Sequence, residues 1–459
     1  MSTLRNAPTF SQSAAPNVSP DPAATRMRWR QYQREAFWKA IPAWQQVDAA
    51  TFCDHRWQER NAVTRLDQLA QTLGTRINPA FVADVAAGMR ASFMTVRIPP
   101  YLLALMDWNE PYTDPLRRQF LPLGSEREED HTLARLDSLG EQDDAPVPGL
   151  VHRYPDRVLL LTTDFCPAYC RFCTRSYAVG GDTQAVSKIK HGQERARWER
   201  ALDYIAAHEQ IEDVVLSGGD AFRLTPESLR FLGQRLLAIP HVRRVRVATK
   251  GLAVLPMKIL TDTDWFDALV AMTQNGRQSY KEVAIHTHFN HPNEFTGITE
   301  DALHRLTDAG IVVRNQSVLL RGVNDDAPTQ ILLNRCLRWL NVRPYYTYLG
   351  DMVQGSEDLR SSLADAIRLE KAVRGSLSGP DMPAYILDAP GGGGKRDIHS
   401  YEHYDRESGL SVFTAAAVKP GRYFLYADPL RDLCPAMQRR WHIPAERQEM
   451  IRHALAAVS

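Results

Sequence analysis

The stretch Arg157-Val-Leu-Leu-Leu-Thr-Thr163 and the loop after it, Cys166-Pro-Ala-Tyr-Cys170-Arg-Phe-Cys173, set the framework of the chain. The first part is a short apolar run with β-branched members, which is typical of a buried strand. The three cysteines therefore leave the C-terminal end of a strand on one loop. Three thiolates on one loop suit an iron–sulfur cluster, and a 4Fe–4S cluster held by three cysteines keeps one iron open for a ligand. The alternatives are three unrelated thiols or a zinc knuckle, but the next histidine is only at His191.

After Pro148, apolar strands alternate with amphipathic helical stretches. Such alternation predicts an α/β fold with parallel strands joined by crossover helices, an α/β barrel or part of one, whose chemistry lies at the C-terminal strand ends. The predicted strands are Val158–Thr162, Asp213–Leu216, Arg244–Ala248, Glu282–Thr287, Val312–Leu319, Arg343–Tyr348 and Ala384–Leu387. The predicted helices fall near Trp198–His208, Pro226–Ala238, Asp264–Gln274, Glu300–Ala309, Pro328–Leu340 and Asp358–Arg374.

Four regions follow from this pattern. Residues 1–24 are predicted to be a disordered lead-in, because they are rich in Ser, Ala and Pro and lack an apolar core. Residues 25–147 are predicted to be a helical N-terminal region and a connector, whose acidic runs at 126–130 and 141–144 are expected to be solvated. Residues 148–396 form the barrel. Residues 397–459 form a C-terminal extension with an antiparallel hairpin of 410–415 and 422–426.

The composition excludes several classes of protein. The chain has 459 residues, 44% hydrophobic and 24% charged, with a formal net charge of +1, so no bulk charge favours nucleic acid or a membrane surface. Six cysteines in a chain of this length form no disulfide framework and fit a reducing compartment. No apolar run is long enough to span a bilayer, and the N-terminus is not a signal peptide. A cytoplasmic protein is expected.

Ser217-Gly218-Gly219-Asp220 directly follows a predicted strand. Two glycines allow the backbone to approach a ligand closely, and Asp220 can accept hydrogen bonds from an ammonium group or from ribose hydroxyls. A tight strand-to-helix turn capped by the aspartate is an equally good interpretation of these residues alone.

A run of four glycines in Asp388-Ala-Pro-Gly-Gly-Gly-Gly-Lys395 follows another strand. Glycines are entropically expensive to order, so the run indicates close approach to a ligand or a segment that moves. It is not a Walker A motif, because Ala389 and Arg396 stand where that motif needs Gly and Ser/Thr. Lys395 could instead form a Schiff base with pyridoxal phosphate (PLP). A flexible surface loop remains the alternative.

Other polar residues lie at the same predicted face. Arg153 and Arg157 suit phosphate or carboxylate, although an ordinary surface salt bridge is the simpler interpretation. His286 and His288 point the same way on a strand, as a metal pair or as hydrogen-bonding partners of a cofactor. Gln316 belongs to a polar group, 315–317, at the end of another strand.

The cysteine spacing resembles the CxxxCxxC signature of the radical S-adenosylmethionine (SAM) superfamily. Over roughly residues 150–396 the chain also resembles the lysine 2,3-aminomutase family, whose members carry PLP as well. The matching stretches are 153–157, the cysteine loop with Thr174-Arg175, 217–220, 287–293, 315–324, 343–346 and 388–395.

The resemblance implies a partial (β/α) parallel barrel of radical SAM type, with the helical N-terminal extension and the small C-terminal extension described above. It implies a 4Fe–4S cluster on the cysteine loop, SAM on that cluster and PLP on Lys395. It assigns roles to further residues. These are Arg153 and Tyr154 near PLP; Ser217, Gly218, Gly219 and Asp220 at SAM; His288 and Gln316 beside SAM or the reacting groups; Arg175 on the substrate α-carboxylate; and Asp351 and Asp388 on a distal ammonium.

Three departures from the clostridial pattern bear on substrate and assembly. Asp326 replaces a zinc-binding cysteine, and only Cys434 follows the barrel, so no structural zinc is expected. Ser176-Tyr177-Ala178 replaces a more basic stretch. The chain also has extra length between Tyr177 and Arg200 and at the N-terminus.

The resemblance implies an isomerase that moves the α-amino group of an amino acid to its β-carbon, with L-lysine as the expected substrate. The alternatives are arginine or another amino acid, or a catalytically inactive binding or regulatory relative. The expected partners are a small amino-acid substrate and a reducing electron donor. Neither nucleic acid nor a membrane is expected, and a homo-oligomer is one option for assembly.

Overall fold

The structure is a computed structural model that describes residues 35–458, all of which belong to one compact unit. The prediction of a disordered lead-in at residues 1–24 lies outside the described residues. Within residues 35–458, no helix is both long enough and apolar enough to cross a membrane.

A nine-stranded sheet organises the fold, with its strands in sequence order from β1 to β9. Strands β2 to β8 are parallel, whereas β1 and β9 pair antiparallel at the two edges. The strands are Leu150–Tyr154 (β1), Arg157–Thr163 (β2), Asp213–Gly218 (β3), Arg244–Ala248 (β4), Glu282–Thr287 (β5), Val312–Leu319 (β6), Arg343–Leu349 (β7), Ala384–Ala389 (β8) and Gly394–Asp397 (β9). The predicted parallel α/β barrel is confirmed as a partial barrel, because the two edge strands do not pair with each other.

The crossover helices begin where the sequence supplies caps. Thr225 accepts a hydrogen bond from the Ser228 amide and Pro226 takes the first turn, an arrangement that satisfies or removes otherwise unpaired N–H groups. Asp326 caps its helix by accepting a hydrogen bond from the Thr329 amide at 2.9 Å. The helices between the strands are Arg195–Ala207, Pro226–Ala238, Gly251–Val254, Met257–Thr261, Thr263–Gln278, Gly297–Asp308, Ala327–Trp339 and Leu363–Val373.

The region before the barrel consists of short helices. They are Ala49–Phe52, His55–Arg60, Leu66–Leu73, Pro79–Ala91, Pro100–Leu105 and Pro115–Phe120, with 3-10 turns at Phe37–Ala40, Pro42–Trp44 and Gly74–Arg76. Their apolar side chains, including Phe52 and Tyr101, join the main core beneath strands β3 to β5. The Tyr101 hydroxyl lies 2.8 Å from the hydroxyls of both Thr296 and Thr299, which ties this region to a barrel helix.

The C-terminal extension adds a small antiparallel sheet and two helices. The predicted hairpin is present as Leu410–Thr414 (β11) and Tyr423–Ala427 (β12), and His403–Asp405 (β10) adds a third strand. The helices Pro435–His442 and Pro444–Ala456 pack on this sheet. A second apolar core joins the extension to the last barrel strands, through residues such as Leu387 and Phe413.

The connector before β1 differs from its prediction. Glu141, expected in a solvated acidic run, is only 3% exposed. Glu126 is also shielded and forms two hydrogen bonds of 2.6 Å with the buried Arg117. The surface interpretation was wrong for these residues, because their arginine partners outweigh the preference of carboxylates for water.

Candidate active site

A cavity of about 490 Å³ occupies the inside of the partial barrel. Every strand of the nine-stranded sheet contributes at least one lining residue, so the sheet curves around the cavity. The cysteine loop lies at the C-terminal end of β2 and lines the same cavity. The C-terminal strand ends of a parallel barrel are where its loops place chemistry.

Cys166, Cys170 and Cys173 all line the cavity, and none forms a disulfide. Burial raises the pKa of all three thiols, and neighbouring negative groups add to the effect at Cys166. Burial raises the pKa of Cys170 to about 12. Buried thiolates of this kind need positive charge, which iron would supply. Within residues 35–458, no three His, Cys, Asp or Glu side chains are grouped to hold a single metal ion.

The glycines after β3 are required by the chain itself. A side-chain carbon at Gly218 would collide with the Thr163 carbonyl oxygen, and one at Gly219 would collide with that of Phe165. The Gly219 amide donates to the Thr163 oxygen at 2.5 Å. The glycines therefore let the end of β3 pass close to the start of the cysteine loop. Sequence analysis had offered a ligand as one candidate for this close approach.

Asp220 lies at the cavity wall but is engaged with backbone. Its carboxylate accepts hydrogen bonds from the amides of Phe222 at 2.9 Å and Lys250 at 2.8 Å. This is the turn-capping arrangement that was one of the two interpretations of the motif. Burial raises the pKa of Asp220, while these hydrogen bonds offset part of that rise. A contact of Asp220 with SAM stays a prediction.

Lys395 lies directly opposite Asp388 across the hairpin of β8 and β9. Its Nζ atom is 3.2 Å from Asp388 Oδ2, and 5.6 Å from the ring centres of Tyr154 and Tyr348. Burial lowers the pKa of Lys395, but the charge and hydrogen bond of Asp388, together with Tyr348 and Tyr154, outweigh it, so the pKa is raised. The lysine is thus a half-buried ammonium at the cavity wall, with 31% of its side chain exposed, and it is the only described lysine on the glycine-run hairpin.

The glycine run is ordered by its surroundings. Gly391 donates its amide hydrogen to the Ser138 oxygen at 2.8 Å. Gly394 has a positive φ of 74°, and a side-chain carbon there would lie 2.7 Å from the Tyr154 hydroxyl. That hydroxyl accepts a hydrogen bond of 2.8 Å from the Lys395 amide. The turn is therefore packed against the barrel wall and the connector, and is not a free surface loop.

Asp351 and Asp388 form a carboxylate pair at the cavity wall. Asp351 Oδ2 accepts a hydrogen bond from the Thr174 hydroxyl, whereas Oδ1 of each aspartate is buried without a partner among residues 35–458. Burial, together with the charge of Asp388, raises the pKa of Asp351 to about 7. Two carboxylates that line one cavity, one of which raises the pKa of the other, favour a cation between them.

The two predicted arginines are held by acids that sequence reasoning missed. Arg175 donates to both oxygens of Glu141, at 2.9 and 2.7 Å. Arg153 donates to Asp144 at 2.7 Å and to the Leu139 carbonyl at 2.7 Å, and its side chain is only 6% exposed. Arg157 keeps the surface salt bridge, with Asp156 at 3.0 Å. The only sequence signal for these acids was that the run 141–144 lies a few residues before β1. An acidic run does not show which basic residues it pairs with.

The histidines line the cavity as neutral rings. Burial is the main cause of the lowered pKa of both His286 and His288, and it lowers that of His286 to about 2. His286 Nδ1 is 2.9 Å from the Gln316 amide nitrogen, and the Gln316 oxygen accepts from the Tyr348 hydroxyl at 2.9 Å. Nε2 of each histidine is buried without a partner in the described residues. These atoms, like the free aspartate oxygens, could bind a ligand in the cavity.

Comparison with known proteins places this arrangement in a family. No family model matches the sequence. L-lysine 2,3-aminomutase of Clostridium subterminale is 40% identical over 356 residues, covering 77% of this chain and 79% of that protein. L-lysine 2,3-aminomutase of Bacillus subtilis (strain 168) is 34% identical over 371 residues, covering 80% and 74%. The chain belongs to the lysine 2,3-aminomutase family.

The lysine 2,3-aminomutase family has relatives with another substrate in their name. Glutamate 2,3-aminomutase of Clostridioides difficile (strain 630) is 34% identical over 346 residues, covering 75% of this chain and 76% of that protein. Among solved structures, a radical SAM methyltransferase from Sphaerobacter thermophilus covers 52% of this chain and 68% of its own, at 18% identity and a TM-score of 0.33. That likeness is too distant to support a conclusion about this chain.

The cavity residues fit the groups that the lysine 2,3-aminomutase family implies. The three cysteines are a sulfur donor set of the type that holds iron–sulfur clusters. Lys395 offers the primary amine that a covalent PLP site requires, and it lies beside the rings of Tyr154 and Tyr348. Asp351, Asp388 and His288 each carry a buried polar atom that has no partner in the described part of the chain. These atoms indicate a polar ligand, because buried polar groups are normally hydrogen-bonded.

Proposed function

We propose that this protein is a radical SAM, PLP-dependent amino-acid 2,3-aminomutase that converts L-lysine to β-lysine. The observation that carries the proposal is the single cavity shared by the cysteine loop, Lys395 and the carboxylate pair Asp351 and Asp388. Each part of the reaction thus has its residues around one cavity. The family relationship supports the same reaction type.

Cys166, Cys170 and Cys173 would hold the 4Fe–4S cluster, with SAM beside it near 217–220, and Lys395 would hold PLP. When bound, SAM on the reduced cluster supplies a carbon radical that removes a β-hydrogen, and PLP supplies a π-system that stabilises the radical while nitrogen migrates. The chain supplies position, because the reacting atoms must be held close together and away from water.

The substrate would be gripped at both ends. Arg175 presents guanidinium N–H groups to the cavity, which suits the α-carboxylate. Asp351 and Asp388 suit the distal ammonium, because a cation between them relieves their mutual repulsion. Lys395 can take up the proton that it needs on leaving the cofactor, since its ammonium pairs with Asp388 at 3.2 Å.

The charge of the pocket separates the candidate substrates. A distal carboxylate, as in glutamate, would meet Asp351 and Asp388 and be repelled. Arginine also carries a distal cation, and its planar guanidinium could pair with the same carboxylates, so arginine is the second candidate. An external electron donor must reduce the cluster, and a reducing cytoplasm would keep the cysteines available.

The test is an anaerobic assay of reconstituted protein with SAM and a strong reductant. Lysine, arginine, glutamate and an apolar amino acid are supplied in turn and in competition, and the β-amino products are identified by mass spectrometry. Lysine should be converted fastest. A preference for glutamate, or the absence of a β-amino product from every substrate with both cofactors bound, would refute the proposal.

A further inference from the structure

Glu141 occupies only one edge of the Arg175 guanidinium. Oε2 accepts from Nε at 2.9 Å and Oε1 accepts from Nη2 at 2.7 Å. A guanidinium has five N–H donors, so this pairing leaves both hydrogens of Nη1 and one of Nη2. Within residues 35–458, no group accepts a hydrogen bond from Nη1. The unoccupied end therefore keeps two parallel N–H groups, the geometry that a second carboxylate needs.

Glu141 is itself held from two further sides. The Tyr177 hydroxyl donates to Oε2 at 3.0 Å, and the Glu141 amide donates to Asp137 Oδ1 at 3.0 Å. The Glu141 side chain is 4% exposed. Burial lowers the pKa of Arg175, but the charge and hydrogen bonding of Glu141, with Tyr177 and Cys173, together outweigh it, so the pKa is raised and the guanidinium stays charged. The Glu141 carboxylate is thus buried and held in place by hydrogen bonds.

The turn that carries Glu141 also contacts the loop that carries the lysine. Ser138 accepts from the Gly391 amide at 2.8 Å. Asp144, at the other end of the turn, pairs with Arg153 at 2.7 Å and with Lys419 at 2.9 Å. The short segment 137–144 therefore contacts both Arg175 and the hairpin that carries Lys395.

We infer that Glu141 is a positioning residue that aims the free end of the Arg175 guanidinium at the substrate α-carboxylate. The inference rests on the proposed function, in which Arg175 binds that carboxylate. An arginine side chain has many rotamers, and fixing it before the substrate arrives removes an ordering cost from binding. Glu141 then acts on the recognition of the carboxylate and on no other part of the ligand.

The experiment compares two ligands that differ only in the carboxylate, L-lysine and 1,5-diaminopentane. Binding is titrated on PLP-loaded protein through the PLP absorbance, without SAM or reductant, so turnover is not required. The wild-type protein should bind lysine more tightly than the diamine. Glu141→Gln should reduce this preference by about tenfold, the size of one hydrogen bond, while leaving the affinity for the diamine unchanged.

Glu126→Gln is the matched control, because it disrupts another shielded arginine–glutamate pair of the same connector and should keep the preference. Glu141→Asp is the second variant in case Glu141→Gln fails to fold, since its carboxylate is one methylene too short for both nitrogens. An unchanged preference in the folded Glu141 variant, an equal loss for both ligands, or the same loss in Glu126→Gln would overturn the inference. A wild-type protein that binds no PLP would instead refute the proposed function.

Discussion

Thr174 donates its hydroxyl hydrogen bond to Asp351 and so connects the cysteine loop with the carboxylate pair. The two residues are 177 positions apart in the chain, and Thr174 directly follows the last cysteine. The hydrogen bond uses Oδ2 of Asp351 and leaves Oδ1 for a ligand. It also favours the charged form of Asp351, against the burial that raises its pKa.

The pH dependence of lysine binding should report Asp351. Its pKa is raised to about 7, so the group must lose a proton before it can pair with an ammonium. The affinity for lysine, relative to norleucine, should rise as the pH rises through about 7. Taking the ratio cancels the titration of the α-amino group, which both ligands share. The ratio, measured by PLP absorbance, should be flat with pH in Asp351→Asn; a wild-type ratio that falls with rising pH would contradict this.

The raised pKa of Asp351 should also make the free energy of unfolding fall as the pH rises. The folded-state pKa of Asp351 lies above its unfolded value, so its stabilising contribution is complete below about pH 4 and is lost as the pH rises through about 7. The loss is on the order of 4 kcal/mol, from about three units at 1.36 kcal/mol each. Urea unfolding of ligand-free protein at pH 4 to 8 should therefore show a smaller loss of unfolding free energy in Asp351→Asn than in the wild type.

Asp388→Asn should impair both the binding of substrate lysine and the transfer of PLP from Lys395. Removing one member of a buried ion pair costs about 3–5 kcal/mol, so lysine turnover should fall by orders of magnitude while the cluster and PLP remain bound. Asp388 also pairs with Lys395, so PLP transfer to norleucine, which has no distal ammonium, should slow as well. Asp351→Asn is the control that should leave the norleucine step unchanged. Unchanged lysine turnover in both variants would refute the role of the pair.

Alanine at Cys166, Cys170 or Cys173 should prevent assembly of an intact 4Fe–4S cluster and abolish SAM cleavage. Alanine at Cys53, Cys336 or Cys434 should do neither, because none of these three thiols lines the cavity. Iron and sulfide analysis, with the visible spectrum, gives the measurement. A stoichiometric cluster in Cys170→Ala would show that the cysteine loop has been misassigned.

Borohydride should attach PLP irreversibly to Lys395, because reduction converts the lysine–cofactor imine into a stable amine. Peptide mapping by mass spectrometry locates the label. Lys250, which lines the same cavity, and Lys419, which does not, are internal controls. Label found on either of these lysines would remove Lys395 from the mechanism.

The parallel strands were predictable because each carries buried apolar residues, either in a run as in β2 or at alternate positions as in β4, and because amphipathic helices separate them. Arg244–Ala248, Glu282–Thr287 and Val312–Leu319 have the predicted bounds. The edge strands β1 and β9 were missed. They are short, they pair antiparallel, and they carry polar or glycine residues, which resemble a loop when read alone.

The site was predictable only where a residue type suggests its own chemistry. Cysteines at a fixed spacing and a lysine after glycines are such cases, and the structure brings these residues to one cavity. The role of Glu141 was not predictable, because it depends on contact with Arg175, 34 positions later in the chain. Sequence periodicity detects no such partner, so a buried carboxylate and a solvated one look the same.

The hairpin between Asp388 and Lys395 has one further consequence. Ala389 pairs with Gly394 and Asp388 with Lys395, so the bend consists of Pro390 and the three glycines after it. Side chains alternate between the two faces of a strand, and a shift of one residue turns every side chain to the other face. The glycine run is therefore a spacer of fixed length: one glycine more or fewer would shift the pairing and could turn the Lys395 amine away from the cavity. The position of the Lys395 amine therefore depends on the number of residues in this loop as well as on their type.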